Sequence, residues 1–340
     1  MKANHKRLLG RTSLSLSVLG FGGSSVGNLY QPIGEEDAVA AVAAALAAGV
    51  SYFDTAPLYG NGLGERRMGR ALGLHSRDDF VLSTKVGMLP APVGAGAKTK
   101  VLEPRGLPLQ VNCDYSYDGV MRSVEDSLGR LGMDRIDIAL IHDIDVHTHG
   151  NVDQRNRFRE AMEGAYPALI RMRDQGTIRA IGVGVNDWRV CQECLEAADF
   201  DCFLLAGRYT LLDQGALATF LPACQERGIG VIIGAPYNSG ILARGAIDGA
   251  TYFDAKPPPQ ILEKVRRMDR ICAGHGVSLA AAALRFPLGH PVVASVIPGV
   301  HSAAHVERNI RLFDETIPAD LWHELKDEGL IDSAAPDVSD

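Results

Sequence analysis

The feature that most narrows the fold is a repeat of type rather than of letters. A short run of Val, Ile, Leu or Phe gives way to a segment of helical period, eight times over, with Gly, Pro or Asp at the joins. The first strand is read at "SVLGFGG" (17–23). The helix behind it, "GEEDAVAAVAAALAAG" (34–49), has acids in its first turn and Gly49 as its stop. Strand two is "SYFD" (51–54) with a helix over 63–73, and strand three is "FVLSTKVG" (80–87) with a helix over 117–132. Strand four, "IDIALIHD" (136–143), precedes a helix over 157–176, and strand five, "IRAIGVGVN" (178–186), precedes one over 187–198. Strands six, seven and eight are read at 201–207, 229–236 and 292–299, followed by helices over 215–228, over 258–274 and 278–286, and over 302–312.

Strands that are apolar throughout belong to a parallel sheet covered on both faces. Eight such units without a linker, low-complexity stretch or composition break favour one closed barrel over two doubly wound halves. The expected fold is α/β: a single (β/α)8 barrel domain over 1–340, with an N-terminal β-hairpin and extended βα loops. Segment 88–114, rich in Pro, Gly and Lys, is too long for a plain βα connection and is expected to cover a site. Loops 24–30 and 143–157 are expected to build the pocket with it.

Bulk properties remove other classes of function. The net charge is −7, with no Lys/Arg run and no aromatic-basic interleaving, which argues against nucleic-acid partners. No apolar run approaches the ~20 residues of a membrane span, and "MKANHKRLLGRTS" lacks the apolar segment of a signal peptide. Six irregularly spaced cysteines fit a reduced cytoplasm better than a disulfide framework. The expectation is a cytoplasmic protein acting on a small molecule, with no nucleic acid or membrane partner and an oligomeric state that the sequence leaves open.

In a barrel, the carboxyl ends of different strands converge on one face. Asp54 ends strand two, Tyr59 follows in the next loop, Lys85 lies at the end of strand three, and His142 at the end of strand four. Each has a bland reading alone: a strand-end Asp caps a turn, and a lone Tyr packs. Together they make an acid/base device for a carbonyl–alcohol pair, with redox equivalents supplied by a cofactor. A free phenol, with pKa about 10, exchanges protons poorly at neutral pH, and a nearby ammonium is expected to lower that value. Asp54 is expected to hold Lys85 charged and oriented, and His142 to fix the substrate oxygen.

The motifs "GFGG", "GVSYFDTAPLYGNGLGERRMGRAL", "VLSTKVG", "IDIALIHD", "IGVGVND" and "SVIPGVHSAAHVERN", in this order, resemble the aldo-keto reductase family over about nine-tenths of the chain. "GVGVNDW" and "LAGRYTLLDQG" resemble its sugar 1-dehydrogenases of the L-fucose, D-threo-aldose and L-galactose type, with pyridoxal 4-dehydrogenase nearby. The resemblance implies Tyr59 as general acid/base supported by Asp54, Lys85 and His142, and NAD(P)(H) lying across the barrel mouth. It implies a cofactor-binding set of Asn186, Tyr237, Asn238, Ser239, Gly299, His301, Ser302, His305, Arg308 and Asn309.

Departures from the family pattern bear on the cofactor. Asn186 fits the position that holds the nicotinamide amide. The usual strand-six glutamine is Ala206 and the usual strand-seven aromatic is Gly234, so Tyr237 or Arg208 is expected to pack the nicotinamide instead. Many NADP-using relatives place Lys or Arg where this chain has Gly299, His301 and His305. Helix N-terminal amides near Ser302 still suit a pyrophosphate or ribose oxygen, and Arg308 is the substitute partner for a 2′-phosphate. NAD is the expected cofactor, with NADP as the alternative.

Competing readings are weaker. "HDIDVHTHG" offers His142, His147 and His149 to a metal, but strands five, six and eight end in Asn186, Ala206 and Pro298, which complete no ligand set; no metal is expected, and His147 and His149 are read as loop residues over the pocket. "CQEC" (191–194) has no second pair at zinc spacing. "GFGGSSVG" has Ser25 where a dinucleotide fingerprint needs its third glycine. A barrel serving only as a binding subunit is disfavoured by the intact Asp–Tyr–Lys–His set. The expected reaction is oxidation of an aldose at C1 to a lactone. Pyridoxal hemiacetal oxidation and general aldehyde reduction are the alternatives, and a metal-dependent barrel hydrolase is the non-redox one.

Overall fold

The computed structural model describes residues 1–29, 31–92 and 106–338. Eight parallel strands form the barrel: β1 (Phe21–Gly22), β2 (Tyr52–Asp54), β3 (Val81–Val86), β4 (Ile138–His142), β5 (Ala180–Val185), β6 (Cys202–Ala206), β7 (Gly230–Gly234) and β8 (Val293–Ile297). They are hydrogen-bonded in chain order from β1 to β8. Parallel bridges Leu19↔Val296 and Gly22↔Gly299 bring the last strand back to the first. Every residue of β1 to β5, β7 and β8 is buried, which is why these strands read as unbroken apolar runs.

The predicted N-terminal hairpin is present: Lys6–Leu8 pairs antiparallel with Ser15–Ser17. It splits the run 17–23, read as one strand, into a hairpin residue and β1. The hairpin closes the amino-terminal end of the barrel. Leu9, Leu14 and Leu16 join the interior cluster with Tyr52, Ile138, Leu140, Leu204 and Ile232. Its turn reaches β7 so closely that a Cβ on Gly10 (φ +54°) would stand 2.4 Å from Gly228 O and Gly230 N. Arg7 donates to Leu288 O at 2.9 Å and Val293 O at 3.0 Å, tying the plug to β8.

Two loops differ from the sequence expectation. Within 88–114, Met88–Pro92 and Leu109–Cys113 pair as an antiparallel ribbon; residues 93–105 lie outside the described residues, as does Tyr30 of loop 24–30. Segment 143–157 is largely helical rather than a loop. Helix Val146–Glu160, bent where Gly150 leaves helical geometry (φ 71°), runs through a π-turn (Ala161–Ala165) into Tyr166–Asp174, so the helix read at 157–176 begins earlier. Asp145 starts it by accepting from Thr148 N at 3.0 Å. The helix after β6 is a 3-10 turn (Gly215–Leu217) followed by Phe220–Glu226, and a helix not foreseen, Ala319–Asp327, packs near the C-terminus.

β3 is fixed laterally by a buried carboxylate. Glu65, fully buried on helix Leu63–Leu72, accepts from Thr84 Oγ1 at 2.7 Å and from Arg130 Nε at 2.6 Å, joining that helix, helix Tyr117–Leu131 and the strand residue beside Lys85. Removing one member of such a buried pair strands the other. Glu65→Ala is therefore expected to destabilise the fold by about 3–5 kcal/mol, read as a lower denaturant midpoint, whereas an exposed pair such as Arg266–Glu263 should matter little when broken.

Candidate active site

The barrel strands deliver their polar residues to the end opposite the hairpin. Asp54 closes β2, Lys85 is the penultimate residue of β3, and His142 closes β4. Lys85 Nζ donates to Asp54 Oδ2 at 2.7 Å and to Thr55 O at 2.9 Å. Asp54 Oδ1 accepts from Ser83 Oγ at 2.7 Å, and Ser83 Oγ also contacts the Tyr52 hydroxyl at 2.9 Å. The side chains of Lys85 and Asp54 are each only 2% exposed, so these partners offset the desolvation of both charges.

Tyr59 sits where the loop after β2 is pressed against the loop after β1. A Cβ on Gly27 would stand 2.5 Å from the Tyr59 backbone, so only glycine permits that approach. Lys85 lies against Tyr59, its Nζ 4.6 Å from the ring centre. The imidazole of His142 meets the Tyr59 ring edge-on, centroids 6.0 Å apart. The four expected residues therefore form one cluster.

Their electrostatics differ from the sequence expectation at one point. Burial pushes the Tyr59 phenol up to about 12; the Lys85 ammonium pulls it down, but desolvation wins and Asp54 adds to it. The ammonium does not make Tyr59 more acidic than a free phenol in this state. Burial, the largest single influence on Lys85, favours its neutral form, yet Asp54 and Tyr59 together outweigh it and hold the ammonium above its ordinary value. Burial and the Lys85 charge keep His142 well below the usual imidazole range. Neutral His142 has one donor and one acceptor nitrogen; Nδ1 is buried with no hydrogen-bond partner among the described residues, and Nε2 lies 3.5 Å from Asp143 Oδ2.

These groups form the floor of a cavity of about 880 Å³ that extends to the far side of the barrel mouth. Most of the residues expected around a cofactor line it. Asn186, after β5, donates to Asp143 Oδ1 at 3.3 Å. Tyr237, after β7, is half-buried, and its hydroxyl donates to Asn309 Oδ1 at 3.0 Å. Asn238 donates to Gly207 O at 3.1 Å, leaving its buried Oδ1 without a partner among the described residues. Ser239 donates to Asp254 at 2.9 Å. Gly299, His301, His305, Arg308 and Asn309 line the distal part. Ser302 is not in the lining; it caps helix Ala303–Phe313 and contacts His305 Nδ1 at 2.9 Å. The rings of His301 and His305 lie 3.9 Å apart, and burial followed by His305 lowers the His301 pKa.

Two expectations fail locally. Arg208 does not face the cavity: it donates to Asn186 O at 2.8 Å and to Asp213, and stacks 3.7 Å over Phe253, which leaves Tyr237 as the aromatic group available. Of the pocket histidines, His147 is exposed at the rim, but His149 is turned to Tyr115, whose hydroxyl contacts it at 3.1 Å and donates to His142 O at 2.7 Å. Sequence reasoning passed over Tyr115, Ser83 and Asp143. The signal for Asp143 was present, as the residue after His142 at the same strand end.

The residues fit an elongated dinucleotide. The cavity runs from the Tyr59 cluster past the unpartnered Asn238 Oδ1 to a capped helix N-terminus, whose amides suit an anion. Gly299 adds no side chain there; its Cβ would come within 3.2 Å of Ser25 Oγ.

The geometry of Tyr59 has a spectroscopic consequence. In an ultraviolet difference titration against Tyr59→Phe, the free protein should show no Tyr59 phenolate until the pH nears about 12. Ionisation at or below the ordinary value of about 10 would contradict the dominance of burial.

Comparison with known proteins agrees with this arrangement. The family model described as the aldo/keto reductase family matches residues 18–328. The chain is 41% identical over 342 residues to pyridoxal 4-dehydrogenase from Microbacterium luteolum, covering 97% of this chain and 99% of that protein. It is 36% identical over 330 residues to D-threo-aldose 1-dehydrogenase from a Pseudomonas species, covering 94% and 95%. Among solved structures, the holo form of aldo-keto reductase AKR11C1 from Bacillus halodurans superposes with a TM-score of 0.75 at 26% identity over 96% of each chain. The barrel, the strand-end cluster and the full-length match lead to one conclusion: this chain belongs to the aldo/keto reductase family and is an oxidoreductase that works with a nicotinamide cofactor.

Proposed function

We propose that the enzyme oxidises the hydroxyl of a cyclic hemiacetal to a lactone, with the C1 hydroxyl of an aldose as the leading substrate. The observation that carries this reading is the cluster of Tyr59, Lys85 and Asp54 beside neutral His142 on the floor of a cavity with room for a cofactor and a small molecule. A nicotinamide cofactor held along Asn186, Tyr237 and Asn309 would supply the hydride acceptor for this oxidation. Tyr59 accepts the hydroxyl proton, Lys85 stabilises the phenolate that this requires, and Asp54 keeps Lys85 charged and aimed. The donor nitrogen of His142 holds the substrate oxygen. Because burial disfavours the phenolate, oxidation gains rate as pH rises, and aldehyde reduction, which needs the phenol, gains as pH falls.

A second substrate is favoured by a separate observation. Full-length identity is higher to the pyridoxal enzyme, 41%, than to the aldose enzyme, 36%, and pyridoxal also closes to a cyclic hemiacetal. A panel of aldoses and pyridoxal under NAD⁺ and NADP⁺, followed by nicotinamide absorbance, separates the two. We place the enzyme in the cytoplasm on the strength of six free cysteines, five of them buried; among the described residues no single helix is long and apolar enough to cross a membrane.

Tyr59→Phe is expected to lower kcat by at least ~10² with the Kd for cofactor nearly unchanged; turnover close to wild type would remove Tyr59 from the mechanism. Lys85→Met should act in the same direction and move the alkaline rise of the oxidation rate to higher pH, since the phenolate loses its counter-charge.

We further propose NAD⁺ as the preferred cofactor. Gly299 has no cation for a 2′-phosphate, burial disfavours charge on His301, and Arg308 is exposed with a weak contact to Ala243 O at 3.4 Å. Losing one charge-assisted contact removes about ten- to a hundredfold of NADP⁺ preference. NAD⁺ should equal or exceed NADP⁺ in kcat/KM, and His305→Arg should shift the ratio toward NADP⁺. A wild-type preference for NADP⁺ above ~10-fold would contradict this and point to Arg308 as the clamp.

A further inference from the structure

Two other carboxylates at this end of the barrel have both oxygens engaged. Asp54 is held by Lys85 and Ser83. Asp145 accepts from Thr148 N at 3.0 Å and Asn186 N at 3.1 Å. Asp143 differs. It follows His142 at the end of β4, its side chain is 14% exposed, and it lines the cavity beside the reacting cluster. Oδ1 takes one long contact from Asn186 Nδ2 at 3.3 Å, while Oδ2 has His142 Nε2 at 3.5 Å, beyond a good hydrogen bond. The residue is held at φ 45°, a left-handed conformation that Asp adopts more readily than most side-chain-bearing residues. The fold therefore keeps an under-bonded carboxyl at the substrate end.

We infer that Asp143 is a substrate-binding residue: its cavity-facing oxygen accepts the hydrogen bond of a second hydroxyl near the reacting carbon, so the site selects hydroxylated hemiacetals over simple aldehydes. The leading substrate of the proposed function carries such a group, the 2-hydroxyl of an aldose; the inference rests on that reading. The titratable and charged groups near the Asp143 carboxyl are Lys85 from β3, Tyr59 from the loop after β2, His142 just before it, Asp145 at the cap of the following helix, and Cys113 and Tyr115 from the segment after β3; Asn186, just after β5, donates to it. Burial, then the Asp145 charge, raise its pKa to about 8, with Lys85 opposing. Below that pH the carboxyl is neutral; above it, the carboxylate accepts the substrate hydroxyl in a charge-assisted bond, and selection strengthens.

The test pairs substrate and enzyme deletions. Asp143→Gly removes the carboxyl from a backbone that glycine adopts without strain, and Asp143→Asn keeps the shape without the charge. Each is assayed with L-fucose against 2-deoxy-L-fucose. L-Fucose should lose roughly ten- to a hundredfold in kcat/KM with Asp143→Gly, while its deoxy analogue changes by less than about threefold. In the wild type the parent-to-deoxy ratio should rise as pH climbs through about 8, and Asp143→Asn should flatten that rise. Equal losses on parent and analogue, or none on either, would overturn the role of Asp143 alone. Turnover of neither sugar, with simple aldehydes still reduced, would overturn the aldose reading and this inference with it.

Discussion

The buried ion pair between Lys85 and Asp54 is the interaction on which the site depends. Two charges at 2.7 Å, almost wholly removed from water, are tolerable only when their remaining hydrogen-bonding capacity is used. Ser83 and the Thr55 carbonyl supply that use, and both lie on or beside the same two strands. The pair therefore demands the β2–β3 register in which Asp54 opposes Ser83, and a one-residue slip would turn each group to the wrong face. Tyr59 lies against the same ammonium, its ring centre 4.6 Å from Lys85 Nζ, and His142 owes its neutral imidazole to burial and that charge.

The barrel divides its two ends by chemistry. The hairpin end is filled with Leu9, Leu14 and Leu16, so water does not reach the strands from that side. The carboxyl ends are left with groups that the core cannot satisfy by itself: the orphan nitrogen of His142, the amide oxygen of Asn238, and the loosely held carboxyl of Asp143. Buried polar atoms without partners are costly, and these three residues line the same cavity.

The fold was legible because the barrel strands read as short, mainly apolar runs, and three of them carry a polar residue at or next to the carboxyl end. Asp54, Lys85 and His142 could be placed from their positions at strand ends alone. Three kinds of information were not legible. The antiparallel ribbon Met88–Pro92/Leu109–Cys113 contains two prolines and lacks apolar alternation, so it reads as loop. The helix from Val146 was hidden by Gly150 and a polar, histidine-rich first turn. The direction of the Tyr59 shift depends on how far desolvation outweighs a neighbouring charge, and a sequence reveals the neighbour but not the depth. Arg208 failed for a related reason: Asp213 and Phe253, which capture it, are contacts that no spacing announces.

The closure of the barrel has a consequence for how the chain reaches this state. Val18, Gly20 and Gly22 bond to Val296 and Pro298, and Ser295 bonds back to Ser17, 278 positions away. Contacts of such sequence separation are slow to form, because loop closure must come before any reward. The seam therefore carries the largest loop-closure cost of any strand pairing in the barrel. Ser25 and Gly299 face each other across it, so close that a Cβ on Gly299 would stand 3.2 Å from the serine hydroxyl, at the end of the cavity where the nucleotide is proposed to lie. A ligand gripping both sides acts as a clasp on the first and last strands, and by mass action its concentration sets how rarely the ring opens.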